Sequence, residues 1–327
     1  MASPSGRTEH RLCAVFACLL LVLAAGSLFI GRYPLSLAAL RSGDDLQWRV
    51  FRTLRLARVA TGVAGGFVLG VAGFVYQTVF RNPLASPDII GVASGASAGA
   101  AAGILFLGTA AGITACSFCG ALLAVGAALA LSCVDRTGKK STIVLAGIAV
   151  HALAQTVLMA LKLTADPERE LASIEYWIMG SLNGISLHSI GGNLVLCAVC
   201  LTALFLLHRQ VILLCAEEGE ARMLGVDVGR LRLVILLIAT LVVSSVVSLS
   251  GLISFVGLLA PHGARLLTRD NRVGTMLLSG LLGGCLLCGA DILARSIAAT
   301  ELPVSIFTSL LGAPFLIFLI VKGRKCP

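Results

Sequence analysis

Charged side chains are scarce in this sequence, and their scarcity excludes an ordinary soluble protein. Asp, Glu, Lys and Arg make up 13% of the 327 residues, whereas about a quarter of a typical soluble domain is charged. Hydrophobic residues make up 57%, and the mean hydropathy is +0.98. The apolar runs are long enough to cross a bilayer core of about 30 Å, and they lack the alternation of barrel strands. The sequence therefore predicts an all-α, polytopic membrane protein.

Sequence patterns for catalysis and nucleotide binding are also missing. A phosphate-binding P-loop requires GxxxxGK[ST], and the nearest approach, GKKS at Gly138–Ser141, lacks the upstream glycine. Neither HExxH nor GxSxG occurs, and no paired carboxylates suggest a catalytic cleft. We therefore predict no catalytic residues, no bound cofactor and no ATP hydrolysis by this chain.

The eleven cysteines lie mostly within apolar runs, which argues against a metal or redox site. A reactive thiol needs polar or electropositive surroundings, but the neighbours here are Ala, Leu, Val and Gly. Three pairs have CxxC spacing and so share a helix face: Cys116/Cys119, Cys197/Cys200 and Cys285/Cys288. We interpret these pairs as small packing residues and predict no metal ligands.

The hydropathy pattern yields ten candidate membrane spans, although eight would also satisfy it. They are residues 12–30, 59–80, 89–108, 113–134, 142–161, 190–207, 233–250, 251–264, 273–294 and 303–321. Arginines precede the first span and KGRK follows the last, so the positive-inside rule places both termini in the cytoplasm. The net charge of +9 is then a topology signal rather than a nucleic-acid surface. We expect one transmembrane domain over residues 1–327, in the cytoplasmic (inner) membrane of a bacterium.

Small residues recur every four positions along two spans, a pattern typical of close helix packing. They are Gly62, Gly66 and Gly70 on the second span and Gly91, Gly95, Gly99 and Gly103 on the third. With ten spans, the second and the seventh would cross the membrane in opposite directions. Spans two to five and seven to ten could then form inverted repeats, as in many transporters.

Six arginines between the first two spans break the positive-inside bias, because this loop is predicted to lie outside. They are Arg32, Arg41, Arg49, Arg52, Arg55 and Arg58. They form either an ordinary solvated loop or a basic surface that docks an acidic partner.

Polar groups within the spans are few, which makes the exceptions candidates for a transport path. His151 and Gln155 lie four residues apart on the fifth span and so share one helix face. They either line a water-filled path or form a hydrogen bond between helices. The sequence shows no chain of buried carboxylates, which argues against a proton-coupled transporter.

The longest segment on the predicted inner side, residues 208–232, carries three glutamates followed by an apolar group and Gly225. This pattern favours two short helices joined at a glycine bend. Such a hairpin is either an ordinary surface loop or the part of the chain that a soluble motor subunit grips.

Several long motifs, collinear along the chain, resemble the FecCD family of permeases from binding-protein-dependent ABC importers. They are RNPLASPDIIGVASGASAG (81–99), ARMLGVDVGRLR (221–232), GLISFVGLLAPHGAR (251–265), ADILAR (290–295) and ELPVSIFTSLLGAPFLIFLI (301–320). The resemblance implies ten helices, two ATP-binding subunits, an extracytoplasmic solute-binding protein and a second permease copy, for which we expect a homodimer. It implies import of a ferric siderophore, with haem or cobalamin as alternatives. The rival hypothesis is an ion-coupled secondary transporter.

The resemblance also assigns residues to coupling with the ATPase. The segment at about 215–230 resembles a coupling hairpin, with contacts expected from Glu218, Ala221, Leu224 and Gly225. Two further residues, His262 and Arg265, are expected at the same inner interface, after a helix end at Pro261.

Docking and gating residues follow from the same resemblance. Binding-protein docking is implied for Arg55, Arg58 and Arg295. The fifth span resembles a path-lining helix, with an inner gate at Ser141 and Thr142 and with His151 and Gln155 further along.

Four positions depart from the family motifs. Ala57 stands where proline is usual, Ser254 and Ser305 stand where glycine is usual, and Gly263 replaces a bulky aliphatic residue. We expect local helix geometry to differ at these points.

Overall fold

Helices make up the regular structure in the described part of the chain. The structure, a computed structural model, describes residues 6–31, 33, 35–134, 140–185, 187–215, 227–297 and 300–323. The helices are α1 (Gly6–Phe29), α2 (Leu37–Arg41), α3 (Asp45–Val50), α4 (Ala57–Phe80), α5 (Val92–Phe106), α6 (Ala110–Val134), α7 (Lys140–Thr164), α8 (Glu170–Ile178), α9 (Leu187–Leu206), α10 (His208–Leu213), α11 (Val228–Ser250), α12 (Val256–Thr268), α13 (Val273–Ser296) and α14 (Val304–Gly323). A π-helical turn, Phe51–Leu56, leads into α4, and a 3-10 turn, Pro87–Ile90, precedes α5.

Each of the ten predicted spans coincides with one of these helices. Six helices in the described residues are long and apolar enough to cross a membrane, and α5, α9 and α14 are shorter apolar helices. The remaining span corresponds to α12, which has 13 residues and carries a histidine and an arginine. The prediction of an all-α membrane bundle is confirmed. The arrangement of α4–α7 and α11–α14 as inverted repeats stays a prediction.

Helix α4 is the central element, and every residue from Val68 to Phe80 is buried. Two glycines make this burial possible. A Cβ atom at Gly66 would collide with the backbone of Gly283, and one at Gly70 would collide with the backbone of Ser279. The predicted glycine stripe therefore brings α4 and α13 into backbone contact, as small residues do in membrane bundles.

The glycine stripe on α5 has the same effect against α6. A Cβ atom at Gly99 would meet the backbone of Cys116, and one at Gly95 would meet the backbone of Gly120. Cys116 lies at one of these contacts, and the described cysteines are free thiols. Within the described residues, no three His, Cys, Asp or Glu side chains are grouped as metal ligands.

The chain between α11 and α12 is an extended break, so the adjoining predicted spans 233–250 and 251–264 are two separate helices. Gly251 has a φ of 70° and Phe255 a φ of 66°, so the chain turns sharply at both ends of the break. The backbone N–H of Ser181 donates to the carbonyl of Ser250 at 2.7 Å. The hydroxyl of Ser305 donates to the carbonyl of Leu252 at 2.6 Å. These bonds supply partners that a break in a membrane bundle needs.

Pro261 does not end its helix, so the expected helix end at this residue is wrong. Helix α12 continues to Thr268, with Pro261 buried inside it. The ring of a helical proline crowds the carbonyl four residues earlier, which here belongs to Gly257. That carbonyl approaches Gly73 of α4 so closely that no side chain fits at Gly73. Pro261 is the sixth residue of α12, so one backbone hydrogen bond is lost there, and we attribute the tolerance of the proline to this close packing.

Candidate functional site

Three arginines and two carboxylates meet where α4 begins and α13 ends. Arg58 lies in the first turn of α4, and its Nε is 2.9 Å from Oδ1 of Asp291 on α13. Its Nη1 is 3.0 Å from Oε2 of Glu301, which follows α13. Arg55 and Arg295 complete the group, and all three arginines are buried. We call these five residues the arginine cluster; the three predicted docking arginines are brought together in it.

Arg295 is the most enclosed member of the arginine cluster, with 3% of its surface exposed. Its guanidinium donates to the carbonyls of Ile30 at 2.8 Å and Ser27 at 3.1 Å, at the end of α1. It also pairs with Oδ2 of Asp291 at 3.1 Å. Arg295 therefore fastens α1 to α13, and its direct contact with a partner stays a prediction.

Arg55 has no carboxylate partner in the described residues. It donates to the carbonyls of Ile30 and Tyr33, the latter at 3.0 Å. A cavity of about 190 Å³ opens beside it, with Arg58 and Glu301 also in its wall. Three guanidinium groups face two carboxylates in the arginine cluster, so one positive charge is uncompensated. Such a pocket attracts a carboxylate from outside the chain.

A larger cavity of about 970 Å³ lies at the same end of the bundle, between α8 and the turn that joins α5 to α6. Asn183 lines both this cavity and the smaller one beside the arginine cluster. Acidic and aromatic side chains contribute to its wall, including Asp166, Glu168, Glu170 and Trp177. Its volume is in the range of pockets that hold sizeable small molecules.

Helix α7, the predicted path-lining helix, packs with one narrow stripe and leaves most of its surface open. Val150 and Leu158 face the bundle and are buried, whereas Leu153 is 66% exposed and Leu163 is 88% exposed. The predicted pair lies on this helix, with His151 exposed and Gln155 half-buried. Within the described residues, neither side chain bonds to another helix. The arrangement suits a surface that faces a path, a second subunit or lipid.

Asp88 is an acidic residue that the sequence analysis did not identify as a candidate. It lies in the 3-10 turn between α4 and α5, in the wall of a cavity of about 260 Å³. Asp88 is an exposed residue, so its carboxyl group is accessible from this cavity. The available signal was an acidic residue directly after a proline in the otherwise largely apolar stretch LASPDII, residues 84–90.

The structure describes only some of the predicted gate and coupling residues. Thr142 lies in the first turn of α7, whereas the side chain of Ser141 lies outside the described residues. The four predicted contacts of the coupling hairpin also lie outside them: Glu218, Ala221, Leu224 and Gly225. The described chain resumes at Asp227, whose side chain accepts the N–H of Arg230 at 3.2 Å and caps α11.

His262 and Arg265 both make contacts inside the bundle. The ring of His262 meets the edge of Phe315 on α14, with centroids 5.6 Å apart. The guanidinium of Arg265 lies 4.7 Å from the ring centroid of Phe74 on α4 and bonds to Thr78 at 3.0 Å. Both residues therefore hold α12 in place, and their contact with an ATPase stays a prediction.

Comparison with known proteins agrees with the geometry over nearly the whole chain. The profile of the FecCD transport family matches residues 18–322. The hemin transport system permease protein HmuU of Yersinia pestis is 35% identical over 98% of both chains. The cobalamin import system permease protein BtuC of Halobacterium salinarum is 38% identical over 82% of this chain and 72% of its own. The achromobactin transport system permease protein CbrC of Dickeya dadantii is 34% identical over 98% and 92%.

The fold has a match among solved structures as well. A metal-chelate type ABC transporter in an inward-facing conformation superposes with a TM-score of 0.87 and 32% identity, covering 95% of this chain and 99% of the other. The bundle is thus that of a membrane permease of BtuC type, the non-catalytic component of an ABC importer whose ATPase is a separate subunit. The chain belongs to the FecCD transport family.

Proposed function

We propose that this chain imports a ferric siderophore across the cytoplasmic membrane, as the permease of an ABC importer. The observation that carries the proposal is the match to permeases whose names specify hemin and achromobactin, which is nearly full-length, and cobalamin, together with the matched metal-chelate transporter. Hemin is an iron complex, and the matched transporter is of metal-chelate type. Haem and cobalamin are the alternative cargoes.

The complete importer consists of two permease copies, two ATP-binding subunits and one solute-binding protein. One copy does not enclose a path by itself, and the open surface of α7 is where a second copy fits. Exposed leucines on α14, including Leu310 at 67%, add to that surface. We propose a homodimer with both termini in the cytoplasm, which places the arginine cluster on the outer side and the 215–230 hairpin on the inner side.

Transport follows an alternating-access cycle in this proposal. A carboxylate of the loaded binding protein enters the cavity beside Arg55 and Arg58 and is attracted by the uncompensated charge of the arginine cluster. ATP binding then supplies the differential free energy that moves the two permeases between conformations. The hairpin transmits the movement, and the few polar groups along α7 bind the cargo weakly enough to release it.

Uptake into proteoliposomes tests the cargo and the driving force together. The complete importer, with its solute-binding protein outside and ATP inside, is offered a ferric siderophore, haem or cobalamin. We expect ATP-dependent accumulation of the ferric siderophore. Accumulation of haem or cobalamin alone would reassign the cargo, and gradient-driven uptake by the permease without ATPase would overturn the ABC mechanism.

A further inference from the structure

A second cavity, of about 300 Å³, lies at the opposite end of α4 from the arginine cluster. Its wall consists of Gln77, Thr78, Arg81, Asn82, Pro83, Cys215, Arg265 and Asn271. These residues come from the end of α4, the turn after it, the end of α10 and the end of α12. The cavity, which we call the two-arginine pocket, therefore lies at the level where several membrane helices end.

Among the residues that the structure describes, the wall of the two-arginine pocket carries two positive charges and no acidic side chain. In the described part of the chain, no carboxylate lies within ion-pair distance of Arg81 or Arg265. Asp270, which is close in sequence, pairs instead with Arg272 at 2.6 Å. Within the part of the chain that the structure describes, each arginine is thus uncompensated, unlike Arg58 and Arg295 at the other end.

Neutral acceptors hold Arg265 in a fixed orientation. Its Nε donates to Oδ1 of Asn271 at 2.6 Å, and its Nη2 donates to the hydroxyl of Thr78 at 3.0 Å. Its Nη1 donates to the amide oxygen of Gln77, a residue that is 3% exposed. Hydrogen bonds to neutral groups orient the guanidinium but leave its charge, so the pocket favours an anion.

Arg81 completes the pocket from an exposed position. It caps α4 with a φ of 49°, and its Nε donates to the carbonyl of Leu214 at 3.1 Å. Its two terminal nitrogens make no bond in the described residues and form an open fork. Guanidinium forks match the oxygens of a phosphate group.

We propose that the two-arginine pocket binds a phosphate group, supplied either by an anionic phospholipid headgroup or by a soluble phosphate. Basic pockets between the ends of membrane helices commonly hold lipid headgroups. The site is independent of the proposed cargo and of the docking surface.

Native mass spectrometry of the full-length chain tests the lipid source. The chain is offered phosphatidylglycerol or phosphatidylcholine, and the lipids retained are counted for wild type, Arg81→Gln, Arg265→Gln and the control Arg209→Gln. Arg209 is exposed on α10 at the same end of the bundle and does not line the pocket. We expect phosphatidylglycerol retention to fall about fivefold for each pocket variant and to be unchanged in the control.

Inorganic phosphate tests the soluble source in a second arm. Stabilisation of wild type against heat by inorganic phosphate, lost in Arg81→Gln, would support the pocket and assign a soluble ligand. Arg265→Gln removes bonds between α12 and α4 and could misfold, so Arg81→Gln decides the test. Equal binding of both probes by wild type and Arg81→Gln, or an equal loss in the Arg209 control, would overturn the proposal. The proposal would also be overturned if Arg81→Gln weakened only the assembly of the permease with its ATPase and left lipid and phosphate binding unchanged.

Discussion

Arg58 and Asp291 are 233 residues apart in sequence, yet their side chains are joined by a buried hydrogen bond of 2.9 Å. This pair connects the first turn of α4 to the last turns of α13 at the proposed outer surface. A second carboxylate, Glu301, binds the same arginine from a more exposed position. We therefore expect removal of Asp291 to affect mainly stability and removal of Glu301 to affect mainly docking.

Removing Asp291 tests the structural part of the arginine cluster. Asp291→Asn leaves Arg58 and Arg295 without their shared buried carboxylate, whose side chain is 3% exposed. Breaking a buried pair in this way costs about 3–5 kcal/mol of unfolding free energy. Denaturant unfolding of the purified chain measures the loss. Glu301→Gln is the control and should cost about 1 kcal/mol or less, and equal stabilities of Asp291→Asn and wild type would contradict the assignment.

Removing Glu301 tests whether the arginine cluster docks the binding protein. Glu301→Gln raises the net charge of the arginine cluster by one, so an acidic binding protein should bind about two- to fivefold more tightly. The gain should shrink as salt is added. The control is Glu168→Gln, which removes an exposed charge that does not line the cavity beside Arg55. Surface plasmon resonance measures the affinity of the binding protein for each variant. If Glu301→Gln gains no affinity, or if Glu168→Gln gains as much, the binding protein does not dock at the cavity beside Arg55.

Backbone contact between α4 and α13 makes a sharp prediction for glycine replacement. Gly66→Ala places a methyl group against the Gly283 backbone, and overpacking of this kind costs about 1–3 kcal/mol. Gly289→Ala, on α13 itself, meets nothing within 4 Å and should be tolerated. Size-exclusion profiles and thermal stability of the two variants compare them directly. Equal tolerance of both replacements would show that the helices are further apart than described.

Ser305 stabilises the break between α11 and α12 through one hydrogen bond. Ser305→Gly restores the residue usual in the family but removes the donor to the Leu252 carbonyl. Loss of such a bond costs about 0.5–1.5 kcal/mol, so amide hydrogen exchange around residues 251–255 should accelerate about two- to tenfold. Ser296→Gly, which removes a hydroxyl that bonds only within α13, should leave exchange there unchanged. Unchanged exchange in Ser305→Gly would mean that the remaining hydrogen bonds to the break hold it without the Ser305 hydroxyl.

The spans were predictable from sequence because each depends on local hydropathy and length. The glycine stripes were predictable for the same reason, since their spacing is a property of one helix. Pro261 was misjudged because the tolerance of a helical proline depends on its neighbours in space. Gly257 and Gly73 provide that environment from two different helices.

The candidate site was only partly predictable, because its charges are balanced by residues far away in sequence. The arginines were identified by motif, but the burial of Arg295 depends on carbonyls at the end of α1. Glu301 and Asp291 carry no local signal that they face Arg58. Asp88 was overlooked because an isolated carboxylate between two apolar spans resembles an ordinary loop residue.

The coupling hairpin provides the most direct test of the central claim, that this chain is moved by a separate ATPase. Leu224→Asp is introduced into the complete importer, and ATP-dependent cargo uptake into proteoliposomes is compared with the uptake of wild type. We expect uptake to fall to background while the variant permease still elutes as a folded, monodisperse complex. Undiminished uptake by Leu224→Asp would contradict the claim that the hairpin transmits the movement of the ATPase.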